Sequence, residues 1–251
     1  MSSSPLILVT GASRGIGLSV TKVLLTKLGA NVVALSRSRT PGLEELGRRF
    51  PSKLNIVQCD ITDENAVKAV VNSCDRIDGL VLNAGTISFA RISSENSTLA
   101  EWKRVFDVNF FSLLHTVRSA LPRLRESKGR IIFVSSGAAV GKIAGWGAYN
   151  TSKAAMNSFC RTLAAEEHDI ISIAVRPGRV DTEMQQSLRQ DGGDSMDFED
   201  HQLFVNEFNN GKLVKPDDPG HVIAALSTAA SSELNGQFLS WDAKELEKYR
   251  A

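Results

Sequence analysis

Tyr149 and Lys153, four positions apart, are the residue pair of this sequence best suited to acid–base chemistry. The run that follows them, AAMNSFCRTLAAEE, predicts a helix, and side chains four apart lie on one face of a helix. An ammonium about 4 Å from a phenolate stabilises it by roughly 4 kcal/mol at an effective dielectric of about 20. We therefore predict that Lys153 lowers the pKa of Tyr149 from about 10 towards neutral pH. Such a tyrosine can exchange a proton with a carbonyl or alcohol oxygen.

Ser136 offers a hydroxyl to the same oxygen. It lies thirteen residues before Tyr149, where the apolar run RIIFVS ends as a predicted strand. A Tyr-x-x-x-Lys pair by itself is common on helices. The catalytic interpretation therefore depends on a second, independent signal.

That second signal is a glycine-rich turn near the start of the chain. A short apolar run at residues 6–9 predicts a buried strand, and the amphipathic run LSVTKVLLTKL predicts a helix. Between them lies TGASRGIG, with Gly11, Gly15 and Gly17 spaced as Gly-x-x-x-Gly-x-Gly. Glycines at this point allow a tight turn and let a pyrophosphate approach the helix N-terminus. Strand, glycine turn and helix together indicate a dinucleotide site.

The end of the second predicted strand, NVVALS, indicates which dinucleotide. An acidic residue there would accept the ribose hydroxyls and repel a 2′-phosphate. The sequence instead has Ser36 and Arg37, with Arg39 close by and Arg14 in the glycine turn. Neutral and basic residues favour the phosphorylated cofactor, NADPH. The alternative, an arginine face exposed to solvent, stays open for Arg37 and more so for Arg39.

Predicted strands and helices alternate along most of the chain. This rhythm is typical of an α/β domain with a mostly parallel, doubly wound sheet and helices on both faces. Ligands of such sheets bind beyond the carboxyl ends of the strands. The polar or glycine positions at predicted strand ends are Thr10, Gly11, Ser36, Asp60, Asn83, Ser136 and Pro177.

Three segments are harder to interpret. Asn109 interrupts the apolar face of the helical segment 97–127, and a buried amide needs partners, so it is either a satisfied core residue or part of a site. Residues 183–215 are too long for an ordinary connection and are a candidate substrate lid, with a surface excursion as the alternative. The last residues, DAKELEKYRA, read as a polar tail.

Composition excludes several classes of protein. The chain has 251 residues, 42% hydrophobic and 23% charged, with a formal charge of +1, which argues against nucleic acid or an anionic membrane as the main partner. Three cysteines with no paired spacing imply no disulfide framework and no metal site. No apolar run approaches the roughly 20 residues of a membrane helix, and the N-terminus lacks the features of a signal peptide. We expect one intracellular, cytoplasmic domain covering residues 1–251.

These motifs, in this order and spacing, resemble the short-chain dehydrogenase/reductase family over nearly the whole chain. The resemblance implies a single-domain Rossmann-type fold. The runs FDVNFFS, FVSSGAAV, GWGAYNTSKAA, VDTEMQ and LNGQ are also similar to sepiapterin-reductase-like fungal enzymes known as benzil reductases.

The resemblance also implies residue roles. Tyr149 would be the acid/base, Lys153 would lower its pKa and bind the nicotinamide ribose, Ser136 would polarise the carbonyl, and Asn109 would hold a proton-relay water. Arg179, after Pro-Gly, departs from the smaller residue often found in relatives, and it would reach the pyrophosphate, the lid or only solvent. The full set of expected cofactor contacts is Gly11, Arg14, Ile16, Gly17, Ser36, Arg37, Asp60, Asn83, Tyr149, Lys153, Pro177, Val180 and Thr182.

The sequence thus predicts an NADPH-dependent carbonyl reductase acting on a ketone or diketone. Trp146, Phe89 and the region around Met184 would wall a pocket for an apolar or aromatic substrate. The alternatives are an NAD-dependent alcohol dehydrogenase and a regulator that senses NADPH without turnover. Apolar faces on the helical segments 105–126 and 150–167 predict a homodimer or homotetramer.

Overall fold

The computed structural model describes residues 4–250, which form one α/β domain around a seven-stranded parallel sheet. Its strands are short, and most are almost wholly buried, as expected of apolar runs covered on both faces. They are β1 (Leu6–Thr10), β2 (Asn31–Ser36), β3 (Leu54–Gln58), β4 (Gly79–Leu82), β5 (Arg130–Val134), β6 (Ile171–Arg176) and β7 (Phe238–Ser240).

The order of strands across the sheet is β3-β2-β1-β4-β5-β6-β7. All the strands are parallel, but the order in which the chain adds them reverses at β1: β2 and β3 lie on one side of it, and β4 to β7 lie on the other. Strands β1 and β4 are neighbours there, with Leu8 paired with Leu80. A crevice for a ligand opens at such a switch point, beyond the carboxyl ends of the strands. The topology therefore places the glycine turn after β1 at the centre of that edge.

Nine helices accompany the strands within residues 4–250. They are α1 (Gly15–Thr26), α2 (Pro41–Arg49), α3 (Glu64–Asn72), α4 (Leu99–Phe106), α5 (Ser112–Ser127), α6 (Gly147–Glu166), α7 (Glu183–Asp191), α8 (Phe198–Asn209) and α9 (Asp217–Ala229). A π-helical turn, Asp107–Phe111, joins α4 to α5, and short 3-10 turns lie at Gly137–Ala139, Ser232–Leu234 and Lys244–Tyr249. Within the segment 97–127, residues 99–127 are thus continuous helix with one wide turn, at Asn109.

Two hydrophobic layers cover the sheet. Helices α1, α2 and α9 pack on one face, around Leu24 and Ile223. Helices α3, α5 and α6 pack on the other, around Phe133 and Met156. Helices on both faces confirm the predicted fold class. The three cysteines are buried and free.

Two parts of the chain differ from the sequence prediction. The last residues are not a polar tail, because Leu246 and Tyr249 are buried in the α1/α9 layer and the Tyr249 hydroxyl accepts a hydrogen bond from the Ser231 amide. Residues 183–215 are mostly helical, as α7 and α8, and Leu188 and Phe204 pack with Tyr149 in a third cluster. No helix in the part of the chain from 4 to 250 is both long and apolar enough to cross a membrane.

Candidate active site

The reactive residues lie where β5 ends and α6 begins. Ser136 follows β5, and its Oγ accepts a hydrogen bond from the Ala138 amide at 3.1 Å, which fixes the side chain at the start of a 3-10 turn. Tyr149 lies in the first turn of α6 and is buried against Trp146, with ring centroids 5.7 Å apart. The predicted thirteen-residue interval therefore brings Ser136 and Tyr149 to one wall.

Lys153 lies one turn further along α6 and is almost fully buried. Its Nζ donates a 2.8 Å hydrogen bond to the main-chain oxygen of Val134 and stands 5.8 Å from the centre of the Tyr149 ring. Burial of the ammonium lowers the pKa of Lys153 from 10.5 to about 8. The lysine is thus close to the phenol but is held by strand β5.

The prediction for the Tyr149 pKa is wrong for the protein chain by itself. Burial raises the pKa of Tyr149, and hydrogen bonding with Ser136 opposes that rise. The physical reason is that a buried phenolate loses hydration, while the ammonium of Lys153 is directed towards Val134. The phenol of this chain therefore keeps its proton at neutral pH.

Asn109 occupies the π-helical turn and is fully buried. Its amide donates to the Thr86 oxygen at 2.8 Å and to Ser152 Oγ at 3.0 Å, and it accepts from the Thr86 amide at 2.8 Å. Ser152 in turn donates to the main-chain oxygen of Tyr149 at 2.8 Å. The side chain of Asn109 therefore connects the loop after β4 to helix α6. Sequence reasoning missed Ser152, although its place three residues after Tyr149 on an inward helix face is a usable signal.

The glycine turn is built for close approach. Gly11 and Gly15 have φ of +67° and +53°, a region that favours glycine. A Cβ at Gly17 would lie 2.2 Å from the Gly11 oxygen, so this position packs beneath the turn. Arg14 precedes α1 without capping it through its side chain, and its guanidinium pairs with Glu183 at the start of α7.

Asn83 joins the two central strands. Its Nδ2 donates to the main-chain oxygens of Thr10 and Gly11, both at 3.0 Å, and Thr10 Oγ1 accepts from the amides of Asn83 and Ala84 at 3.0 and 3.1 Å. Asn83 and Thr10 thus tie the carboxyl ends of β1 and β4 together beside the crevice.

The predicted adenosine end lies beyond β2 and β3. Ser36 Oγ donates to the Ser38 oxygen at 2.8 Å. Asp60 accepts from the Thr62 amide, which is the main reason that its pKa is lowered; the charge of Arg37 contributes less. Arg39 donates to the Ile56 oxygen at 3.3 Å, so Arg37 is the freer of the two arginines.

Arg179 lies three residues after β6, and its contacts show which of the pyrophosphate, the lid segment and solvent it reaches in the protein. Its guanidinium makes a two-pronged ion pair with Glu207 of α8 and lies 6.0 Å from the Phe204 ring. A β-bridge between Val180 and Val214 adds a second link. The arginine therefore reaches the 183–215 segment.

Residues from these elements line one cavity of about 1070 Å³. Ser136, Tyr149 and Lys153 line it, as do Trp146, Phe89 and Met184. Of the expected cofactor contacts, those that also line it are Gly11, Arg14, Ile16, Ser36, Arg37, Asp60, Asn83, Pro177, Val180 and Thr182. Gly17 and Asn109 do not line the cavity; both are buried behind the residues that do. Sequence reasoning did not single out the lining residues Gly137, Arg176, Phe204 and Trp241.

The residues present fit a nicotinamide dinucleotide. The cavity is larger than the roughly 300–1000 Å³ typical of small-ligand sites, and the helix dipole of α1 points into it. At Gly85, a Cβ would stand 3.5 Å from Asn109 Oδ1 and 3.8 Å from Lys153 Nζ, so the glycine leaves space beside the lysine. Among residues 4–250, no cluster of His, Cys, Asp or Glu suits a metal ion.

Comparison with known proteins agrees with this geometry. A family model described as short chain dehydrogenase matches residues 5–193. This chain belongs to the short-chain dehydrogenase family. It is therefore an oxidoreductase by family, and members of this family use a nicotinamide cofactor.

Three relatives cover nearly the full chain. An uncharacterized oxidoreductase of Schizosaccharomyces pombe is 41% identical over 239 residues, covering 94% of this chain and 95% of its own. A benzil reductase ((S)-benzoin forming) of Saccharomyces cerevisiae is 36% identical over 254 residues, covering 96% and 97%. The crystal structure of a Saccharomyces cerevisiae short chain dehydrogenases/reductase superposes with a TM-score of 0.93 at 37% identity, covering 99% of this chain and 100% of that one. The family, and with it the Rossmann-type sheet, is as the sequence predicted.

Proposed function

We propose that this protein is an NADPH-dependent carbonyl reductase that reduces aromatic ketones or diketones, with Tyr149 as the proton donor. The observation that carries the proposal is that Ser136, Tyr149 and Lys153 line one cavity together with the glycine turn. Similarity to a relative named benzil reductase supports the substrate class.

The protonated state of the phenol supports a role for Tyr149 in reduction. Because burial raises the pKa of Tyr149, the group carries its proton at neutral pH and can give it to a developing alkoxide. Ser136 accepts a hydrogen bond from Ala138, so its own hydrogen, which faces Tyr149 in the protein alone, can be donated to the substrate oxygen. The bound nicotinamide would supply the hydride.

Lys153 balances the charge of this transfer. The phenol becomes a phenolate when it gives up its proton, and a cation one helical turn away offsets the cost of that charge in a buried site. The Val134 hydrogen bond holds the ammonium at this place. Lys153, Asn83 and Thr182 would hold the nicotinamide half of the cofactor.

Preference for the phosphorylated cofactor is supported by Arg37. It lines the cavity beyond β2, where Ser36 replaces the acidic residue that would repel a phosphate. Arg39 is occupied by the main chain of β3. Arg37 is therefore the residue that would pair with the 2′-phosphate.

Trp146 and Phe204 support an aromatic substrate. Their rings lie 5.5 Å apart, and Trp146 also makes an edge contact with Tyr149. Phe204 belongs to the 183–215 segment, which would close over the substrate as a lid. A flat ring would be held beside the proton donor between these faces.

The test is to substitute each of the two tyrosines and to follow consumption of NADPH with benzil and acetophenone. Tyr149→Phe should bind NADPH normally and lose at least about a hundredfold in kcat. Tyr249→Phe is the matched control, because its hydroxyl bonds Ser231 in the core, and it should keep normal turnover. Substantial activity in Tyr149→Phe would reject the mechanism. NADPH binding without turnover of any carbonyl would favour a sensor instead, and a preference for NAD with alcohols would favour the dehydrogenase.

We also propose a homodimer or homotetramer. Members of this family commonly oligomerise. In this chain Phe111 is 49% exposed beside Phe106 and Phe110 on the helical segment after β4. Light scattering after gel filtration tests this, and a monomer of 27.2 kDa would contradict it.

A further inference from the structure

Arg176 is the last residue of β6 and lies beside the cavity wall that contains Ser136 and Tyr149. Its side chain continues the strand face of Ala174, which packs in the layer of α6. A Cβ at Gly137 would lie 3.3 Å from Arg176 Cδ and 3.9 Å from Nη1. The guanidinium stem therefore lies against the residue that follows Ser136.

Within residues 4–250, the charge of Arg176 is not paired with a carboxylate. Two other arginines of the same cavity wall are paired, Arg14 with Glu183 and Arg179 with Glu207. For Arg176, no carboxylate of residues 4–250 lies within the 4.0 Å of an ion pair. An exposed, unpaired cation in the wall of a ligand cavity attracts an anionic group of the ligand.

One acid of the same cavity wall would work against that attraction. Asp242 lines the same cavity two residues after Ser240, the partner of Arg176 in the β6–β7 register. Its Oδ1 accepts a 2.5 Å hydrogen bond from Ser240 Oγ, so the carboxylate is held by its own strand end. Removing the charge of Asp242 should therefore strengthen anion binding.

The cavity wall has an aromatic part and a cationic part, and both are near Ser136. Trp146 and Phe204 form the aromatic part, and Arg176 lies on the side of Gly137. A ketone that contacts both parts carries a ring and an anionic group. A guanidinium binds a carboxylate through two parallel hydrogen bonds, which would fix the orientation of the ketone.

We propose that Arg176 binds a carboxylate of the substrate, and that aryl keto acids are the preferred substrate class. The inference rests on the proposed function, because it names the substrates of the same site. It identifies Arg176 as a specificity-determining residue, separate from the proton-transfer groups.

The test uses a series of aryl keto acids of increasing chain length, each with a matched neutral analogue. Benzoylformate, benzoylpropionate and benzoylbutyrate, each with its methyl ester, place the carboxylate at increasing distance from the ketone. At one chain length, kcat/KM for the acid should exceed that of the ester by about tenfold, the scale of a charge-assisted hydrogen bond at a partly exposed site. Arg176→Gln should remove this preference and leave reduction of the ester within about twofold.

Two further variants sharpen the result. Asp242→Asn should change the acid-to-ester ratio in the opposite direction and raise it. Arg48→Gln on the exposed face of α2 is the control for loss of a positive charge and should leave the ratio unchanged. A ratio that falls equally in Arg48→Gln would mean a general field effect and would overturn the assignment.

A binding measurement separates this inference from the proposed function. Phenylbutyrate has the ring and the carboxylate but no ketone, and calorimetry can follow its binding to the protein with NADPH present. Binding to the wild type that Arg176→Gln abolishes supports the inference even if no ketone is reduced. Reduction of the esters without any preference for the acids, or phenylbutyrate binding that persists in Arg176→Gln, overturns it.

Discussion

Lys153 Nζ donates a 2.8 Å hydrogen bond to the main-chain oxygen of Val134, and this contact ties helix α6 to the strand that ends two residues before Ser136. One side chain therefore links the helix that carries Tyr149 to the strand that leads to Ser136. The same contact keeps a cation in a buried place. The cost of that burial appears in the lowered pKa of Lys153, about 8.

This buried cation predicts a pH-dependent stability difference for Lys153→Met. Between about pH 8 and pH 10.5, the unfolded chain keeps a proton on Lys153 that the folded chain has released. The free energy of unfolding of the wild type therefore rises with pH across this window relative to the variant, by up to about 3 kcal/mol. Urea denaturation of both proteins at a series of pH values measures it.

Lys103→Met, at an exposed position of α4, provides the control. Its difference from the wild type should stay constant with pH. A Lys153→Met difference that is equally flat would mean that the ammonium is not buried at a cost in solution.

Arg37→Asp should reverse the cofactor preference. The substitution removes the proposed phosphate partner and places a carboxylate near Asp60, whose pKa Arg37 helps to lower. We expect kcat/KM with NADPH to fall more than about tenfold, as two charge-assisted hydrogen bonds are lost, and kcat/KM with NADH to rise. Steady-state kinetics with both cofactors measures the change.

Arg39→Asp is the matched control for Arg37→Asp, because Arg39 bonds the main chain of β3. It should lower NADPH use far less. Equal losses in both variants would show that only the general positive potential matters, and no loss in either would place phosphate recognition elsewhere.

The sheet and the strand-end residues could be predicted because they follow from local patterns. Each strand is an apolar run, and the carboxyl ends of parallel strands meet at one edge whatever the details of packing. This is why Gly11, Asn83 and Ser136 could be placed at the same edge of the sheet from the sequence. The glycine spacing after β1 was equally local.

Contacts between distant parts of the chain could not be predicted in this way. The pairing of Arg14 with Glu183 joins residues 169 apart, and no local pattern indicates it. The direction of the Lys153 ammonium depends on which carbonyl lies nearest in three dimensions, and this reversed the expected pKa shift of Tyr149. The burial of Leu246 and Tyr249 depends on a surface offered by α1 and α9.

Gly17→Ala should impair both folding and cofactor binding. The added Cβ would lie 2.2 Å from the Gly11 oxygen and 2.5 Å from Asn83 Nδ2, so the turn and the β1–β4 link must both shift. We expect a loss of roughly 1–3 kcal/mol in the free energy of unfolding and weaker NADPH binding. Gly42→Ala is the control, because its Cβ would meet only the flexible end of Leu18 at 3.0 Å. Normal NADPH affinity in Gly17→Ala would contradict this account of the turn.

Phe204→Ala should weaken binding of aromatic substrates in particular. Phe204 is buried on the inner face of α8, and its ring packs on Trp146, which in turn contacts Tyr149. Without it the aromatic wall loses one side, and contacts of this kind contribute about 0.5–1.5 kcal/mol beyond burial. We expect KM for benzil to rise by about two- to tenfold, the scale of that contact energy. The small diketone diacetyl makes no ring contact, so its kcat/KM should change by less than about twofold. Phe198→Ala, on the same helix but 76% exposed, should change neither. If benzil and diacetyl are affected equally, the helix contributes general closure of the site rather than a wall for an aromatic ring.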